Sequence, residues 1–167
     1  GPAGPFDRWP TGWGFDCFYG FLGGGASQWD PCLAENQKII GTEPEYYDQE
    51  NPYYLPDAMA GKTIEWLHGV RAQDAHKPFF IYFSTGCSHA PHHVAKAWAD
   101  KYKGKFDQGW DKLREETFAR QKALGVIPAD AELTPRNEAF PAWDDVPPKL
   151  KTFYARQMEV YAGFSEN

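Results

Sequence analysis

The longest apolar run of the chain extends from Phe79 to Phe83. Polar residues do not alternate with apolar ones in it, so a strand formed there would need cover on both faces. The pattern therefore predicts a strand buried inside a sheet. Three histidines, His89, His92 and His93, follow after a few small residues. Ligands bind beyond the carboxyl ends of strands in open α/β sheets, which makes His89 the first candidate for a functional residue.

The spacing of apolar residues predicts four helices. Proline is favoured in the first turn of a helix and glycine just past its end, and these residues set the expected bounds. The helices are expected from Pro56 to Gly69 or the polar stretch after it, over residues 94–102, over residues 107–124 with Gly125 closing the helix, and from Pro147 or Pro148 onward.

The last predicted helix is apolar over a wide arc, with Phe153, Gln157, Val160 and Phe164 on one face, and this face is expected to be buried. Elsewhere the pattern is weaker. A short strand is expected within residues 15–21, a long loop or short β excursion over residues 26–54, and a proline-rich surface connection over residues 126–148.

Composition narrows the class of protein. A chain of 167 residues, 42% of them hydrophobic and 17% aromatic, is expected to pack as a domain. The net charge is −6 and no run of Lys and Arg is present, which argues against a nucleic-acid partner and against binding to anionic membranes. No apolar run approaches the about 20 residues that span a bilayer, so no membrane span is expected.

The histidines suggest two kinds of site, a zinc site and a nucleophilic triad. Cys87, His89, His92 and His93 carry zinc-ligand side chains, but their spacing is cramped and structural zinc sites usually gather ligands from two segments. For His92 and His93 the preferred interpretation is that they cap or flank the next helix. A nucleophilic triad is disfavoured because the chain has no G-x-S-x-G motif.

Specific motifs lie along nearly the whole chain. They are Trp9-Pro10-Thr11-Gly12-Trp13-Gly14-Phe15-Asp16, Phe18-Tyr19-Gly20-Phe21-Leu22-Gly23-Gly24, Trp29-x-Pro31-x-Leu33, Lys77-Pro78-Phe79-Phe80, Thr85-Gly86-x-Ser88-His89-Ala90-Pro91-His92-His93, Ala99-Asp100-Lys101-Tyr102 and Gly125-Val126-Ile127-Pro128. Together they resemble bacterial arylsulfatases, in the sulfatase branch of the alkaline phosphatase superfamily.

The resemblance implies an α/β fold, with the chain a fragment of an alkaline phosphatase-like α/β sandwich around a large mixed sheet. Residues 1–167 would be an internal part of the sulfatase catalytic domain, incomplete at both ends. The complete parent protein would hydrolyse sulfate esters through a formylglycine nucleophile, made from a Cys or Ser in a C/S-x-P-x-R motif, beside a bound Ca²⁺. No such motif follows Cys17, Cys32 or Cys87. The nucleophile is therefore expected outside this chain. The paired aspartates and the Asp-Asn-Gly motif that the resemblance implies are also absent, so the chain is expected to supply no metal ligand.

One functional residue carries over from the resemblance. His89 matches the family histidine that contacts the sulfate group and the leaving-group oxygen, which gives it a catalytic and substrate-binding role; His92 and His93 receive none. The implied partners are a small-molecule sulfate ester and the remaining segments of the parent chain. Two alternatives stay open: a phosphodiesterase or phosphonate hydrolase of the same superfamily, and a non-catalytic sulfatase-like binding protein. The compartment, bacterial cytoplasm or periplasm, is also open.

Overall fold

The computed structural model describes residues 3–42 and 52–167. The chain divides into two compact units, Gly1–His93 and Val94–Asn167, called here the N-terminal unit and the C-terminal unit. In the described part of the chain, no helix combines the length and the apolar character needed to cross a membrane.

The N-terminal unit contains a small antiparallel sheet. Its strands are β1 (Tyr19–Gly20), β2 (Leu33–Glu35) and β3 (Lys38–Ile40), in the order β1-β2-β3, with Gly20 opposite Ala34 and Ala34 opposite Ile39. Asn36 adopts a left-handed conformation between β2 and β3, with φ of 54°. The expected β excursion after residue 26 is thereby confirmed as a hairpin, while the strand expected within residues 15–21 is only two residues long. Residues 43–51 of the predicted loop lie outside the described residues.

Helix α1 (Leu55–Gln73) follows the sheet and confirms the predicted first helix. Pro56 and Asp57 stand in its first turn, and it ends in the polar stretch after Gly69, the second of the two expected ends. Leu33 of β2 and Leu55 at the start of α1 are fully buried and pack with Tyr53. This cluster is the hydrophobic core of the N-terminal unit, and it joins the sheet to the beginning of α1.

The apolar run (residues 79–83) does not form the predicted buried strand. Its side chains are exposed, from 40% for Ile81 to 77% for Phe80, and no strand of the described chain pairs with it. The described strands pair only with one another, so the run gains neither ladder hydrogen bonds nor cover for its faces. The described residues show helices and a three-stranded antiparallel sheet, which is compatible with the predicted α/β class but does not confirm the large mixed sheet that the family resemblance implies.

The C-terminal unit is helical. It contains α2 (Lys96–Asp100), α3 (Gly109–Ala123) and α4 (Pro148–Glu166). The predicted helices are confirmed, although α2 is shorter than residues 94–102. Gly125 follows α3 with φ of 68°, a left-handed conformation that glycine adopts without strain, and Pro148 is the first residue of α4.

The buried face of α4 matches the predicted one at Phe164, which is 1% exposed, and differs from it elsewhere. The buried residues are Ala155, Glu159, Gly163 and Phe164, whereas Phe153 is 56% exposed. A Cβ on Gly163 would lie 2.7 Å from the backbone nitrogen of Ala99 in α2. Close approach of the two helices therefore requires a residue without a side chain at this position of α4.

The connection before α4 is also less exposed than expected. Trp143 and Val146 are 7% and 4% exposed, and Trp143 lies in a short 3₁₀ helix, Trp143–Asp145. Its ring occupies the place where a Cβ on Gly109 would stand, and Gly109 has φ of 76°. The backbone N–H of Trp143 donates to Asp111 Oδ2 at 2.7 Å. A single tryptophan thus docks this segment onto the first turn of α3.

Candidate functional site

The predicted site residue His89 lies on an irregular segment, residues 86–93, called here the histidine loop. The backbone N–H of His89 donates to the carbonyl of Gly86 at 2.8 Å, which forms a turn that brings the imidazole to the surface. His89 Nδ1 is 2.6 Å from the carbonyl oxygen of Ala90. A carbonyl can only accept, so Nδ1 is the donor in this contact, and Nε2 takes no part in it.

The segment of residues 25–28 touches the histidine loop at three places. A Cβ on Gly25 would stand 3.6 Å from His89 Nδ1, so the backbone of Gly25 lies beside the ring. A Cβ on Gly86 would stand 2.7 Å from the side-chain nitrogen of Gln28. The backbone N–H of Gln28 donates to His93 Nδ1 at 3.4 Å, at the other end of the loop. This segment therefore supports the loop at its start, beside the candidate catalytic ring and at its end.

His93 is held from a second side. Its carbonyl oxygen accepts a hydrogen bond from the Tyr54 hydroxyl at 3.0 Å, and Tyr54 is only 6% exposed. Burial raises the pKa of the Tyr54 hydroxyl well above its ordinary value, and the negative charges of Asp57 and Cys87 raise it further. Tyr54 thus remains protonated and remains a donor at every pH at which the fold is expected to persist.

His92 and His93 were expected to cap or flank the next helix; they do not cap α2, but they flank it, with His93 three residues before its first residue. The residue at the N-cap of α2 is Ala95, and no side chain caps that end. The ring of His93 instead accepts the Gln28 N–H inside the N-terminal unit. The orientation of the His93 ring is therefore set by this hydrogen bond and not by the end of α2.

The histidine loop does not assemble a metal site. Within residues 3–42 and 52–167, no three His, Cys, Asp or Glu side chains lie close enough together to hold a metal ion. Cys87, His89, His92 and His93 therefore do not form the zinc cluster that was weighed, and the described residues do not fit Ca²⁺.

Sequence reasoning missed Gln28 and Tyr54. Neither belongs to a catalytic motif, and a buried glutamine has no periodic signature. The one available signal was Gly25, since a residue without a side chain lets another segment approach the backbone closely, as His89 does here.

A large apolar cavity of about 780 Å³ lies elsewhere in the N-terminal unit. Trp13 and Phe15 line it from the segment before β1, Trp66 and Leu67 line it from α1, and the apolar run forms another wall. His89 is not among the lining residues. The cavity therefore lies beside the apolar run and does not include the candidate histidine.

Comparisons with known proteins agree on one family. The sequence profile of the family described as Sulfatase matches residues 3–167. An uncharacterized sulfatase of Schizosaccharomyces pombe is 30% identical over 171 residues, which cover 96% of this chain and 30% of that protein. An arylsulfatase of Klebsiella aerogenes is 27% identical over 175 residues, which cover 99% of this chain and 35% of that protein. The chain thus spans about a third of the length of these curated relatives.

Proposed function

Because this chain belongs to the sulfatase family, we propose that residues 1–167 are an internal part of a sulfatase catalytic domain and that the complete parent protein hydrolyses sulfate esters. The observation that carries the proposal is the family match over residues 3–167. A relative named as an arylsulfatase, aligned over 99% of this chain, supports aryl sulfates as the substrate class.

His89 is the residue of this chain that we assign to the reaction. Negative charge grows on the bridging oxygen of a sulfate ester as the sulfur–oxygen bond breaks, and a donor placed at that oxygen stabilises the transition state. Because Nδ1 is hydrogen-bonded to the carbonyl of Ala90, we assign the donation to the bridging oxygen to Nε2. It donates when the ring carries its second proton, and it can pass that proton to the leaving group.

The nucleophile and the metal belong to other parts of the parent. Formylglycine and Ca²⁺ are the groups that the family resemblance implies, and they would supply the nucleophilic oxygen and the charge that binds the sulfate. None of Cys17, Cys32 and Cys87 stands in a C-x-P-x-R motif, and the described residues offer no cluster that fits Ca²⁺. The contribution of this chain is limited to contact with the substrate and proton donation at His89.

The remaining segments of the parent are the partner that the N-terminal unit requires. Phe80 and Tyr82 are 77% and 74% exposed, and the cavity beside the apolar run has a volume of about 780 Å³. Five consecutive apolar residues are not stable in water as an open surface. In the parent, neighbouring strands would pair with the run and complete the α/β sandwich.

The test is a comparison of substrates with the complete parent protein. The kcat/KM for 4-nitrophenyl sulfate should exceed that for bis(4-nitrophenyl) phosphate. A preference for the phosphodiester would identify the parent as a phosphodiesterase of the same superfamily. Turnover of neither ester, by protein shown to be folded and calcium-loaded, would replace the proposal with a non-catalytic binding protein.

A further inference from the structure

We propose that Gln28 is a positioning residue that sets the place of His89, because its side chain and its backbone hold opposite ends of the histidine loop. The inference rests on the role proposed for His89 and adds a residue to which no role in the reaction is assigned. Gln28 touches no substrate in this proposal and acts only through the loop.

The two contacts of Gln28 bracket His89. Its side-chain amide lies against Gly86, where a Cβ would come within 2.7 Å of Nε2 and 3.2 Å of Oε1. Its backbone N–H donates to Nδ1 of His93 at 3.4 Å. Gly86 is three residues before His89 and His93 is four residues after it, so a shift of Gln28 would move both ends of the loop that carries the imidazole.

Gln28 is itself fixed. The backbone N–H of Leu55, at the start of α1, donates to the carbonyl of Gln28 at 2.8 Å. The side-chain Nε2 donates to the carbonyl of Ala26 at 3.0 Å. Leu55 is fully buried in the core, so the residue that supports the loop is anchored to the hydrophobic core of the N-terminal unit.

The side chain of Gln28 is unusual for a residue that only fills space. Gln28 is 2% exposed, and its Oε1 is buried without a hydrogen-bond partner among the described residues. A buried polar atom without a partner lowers stability, and an apolar side chain of similar size would fill the same space without that loss. The amide is in place against Gly86 despite its effect on stability, which points to a role in function.

The effect expected on catalysis follows from geometry. Displacement of a catalytic group by about 1 Å lowers the rate by up to about 10²-fold. Gln28→Ala removes the amide that lies against Gly86 and leaves the His89 ring chemically intact. The kcat of the parent for 4-nitrophenyl sulfate should therefore fall by about 10-fold to 10²-fold.

The experiment is a double-mutant cycle in the complete parent protein, with Gln28→Ala, His89→Ala and the double variant. A residue that acts through His89 has nothing left to position once the imidazole is gone, so Gln28→Ala should change kcat less than about twofold in the His89→Ala background. Gln37→Ala is the matched control, because Gln37 is an exposed glutamine of the same unit whose amide donates to Thr11 Oγ1. It should leave kcat unchanged.

The results distinguish a positioning role of Gln28 from a general structural role. Equal losses from Gln28→Ala in the two backgrounds would show a general structural role and overturn the inference, as would an unchanged kcat in the single variant. If Gln28→Ala does not fold, Gly86→Ala, which displaces the same amide from the other side, takes its place in the cycle. A wild-type parent that hydrolyses no sulfate ester, or a His89→Ala variant with full activity, would instead refute the proposed function and the inference with it.

Discussion

Gly163 of α4 lies directly on the backbone of Ala99 in α2, with only 2.7 Å between the place of a Cβ on Gly163 and the Ala99 nitrogen. The contact is between two main chains, and neither can move away as a flexible side chain can. The closeness of the two helices therefore depends on the absence of one methyl group.

Gly163→Ala is expected to destabilise the C-terminal unit by about 1–3 kcal/mol, the usual range for an added methyl group in a packed contact. Alanine is otherwise the better helix former, so the sign of the effect identifies the steric clash. Urea denaturation followed by circular dichroism would measure it. Gly69→Ala in α1 is the control: a Cβ there meets nothing within 4 Å, and the substitution should stabilise by about 0.5–1 kcal/mol.

The packing of α4 shows why its buried face could be predicted only in part, at Phe164. Hydrophobic patterns assign the largest apolar residues to the interior, which selects Phe153, yet Phe153 is 56% exposed. The buried stripe contains a charged residue, Glu159, and a glycine, Gly163, neither of which contributes to an apolar pattern. The position of the helix along the chain depends on local residues such as Pro148, and for that reason it was predictable.

Glu159 makes the stability of the C-terminal unit depend on pH. Burial by itself raises the pKa of this carboxyl, but hydrogen bonds from Arg156 at 2.7 Å and from the Gly104 N–H at 2.8 Å outweigh burial and hold the pKa below its usual value. The pKa of Asp100 is also lowered, first by its hydrogen bond with Lys96 and then by Arg156.

The sign follows from the lowered pKa. An unfolded glutamate titrates near about 4.3. The folded state binds protons less readily than the unfolded chain, so this contribution to stability is complete above that pH and is lost as the pH falls through the folded-state value. Glu159→Gln should lower stability at pH 7 and flatten the loss of stability in acid, as measured by unfolding free energies from pH 7 to pH 3. Glu166→Gln, which alters an exposed pair with Lys101, should leave the acid limb close to that of the unaltered chain.

The exposed apolar run should make the isolated chain associate and bind hydrophobic dyes. Replacing Phe80 and Tyr82 with serine should reduce dye fluorescence and association while helical content is kept, since these two side chains are the most exposed of the run. Phe153→Ser on α4 is the control and should reduce both much less. A monodisperse monomer of the unaltered chain that binds no dye would contradict the need for covering segments.

The same run marks the limit of prediction for the N-terminal unit. A continuous apolar sequence indicates that its five residues require burial. It does not indicate which segments of the protein cover them. When those segments lie outside residues 1–167, the run remains open, and Phe79 is 55% exposed. The sequence singled out His89 from its position after the run, and its role stays a prediction, whereas the support of the loop by Gln28 depends on a contact 58 positions away along the chain.

His89→Ala in the complete parent should lower kcat by about 10²–10³, or roughly 2.7–4 kcal/mol, as for loss of one donor at a developing negative charge. The loss should grow for aryl sulfates with poorer leaving groups, because these depend most on the donated proton. Kinetics across a series of phenols of rising pKa would measure the trend. His92→Ala should do much less, and an equal loss in both variants would remove His89 from its catalytic assignment.

Residues 1–167 alone should neither turn over 4-nitrophenyl sulfate nor bind Ca²⁺ with micromolar affinity, because the described residues hold no cluster that fits the ion. Isothermal titration calorimetry with Ca²⁺ and a spectrophotometric assay with the purified chain would check both expectations. Binding or turnover at the level of a complete enzyme would show that the chain holds a site of its own.

The hydrogen bond from Tyr54 to the His93 carbonyl couples the candidate catalytic loop to the melting of the core. Tyr54 stands between Tyr53 and Leu55, two members of the core cluster, so the anchor of the loop is released only when the start of α1 opens. Loops that unfold locally usually do so well before the global transition. Here loss of activity on heating should coincide with loss of protection at Leu55. Adaptation of the parent to a higher working temperature would then be selected in the core, among residues that never meet the substrate.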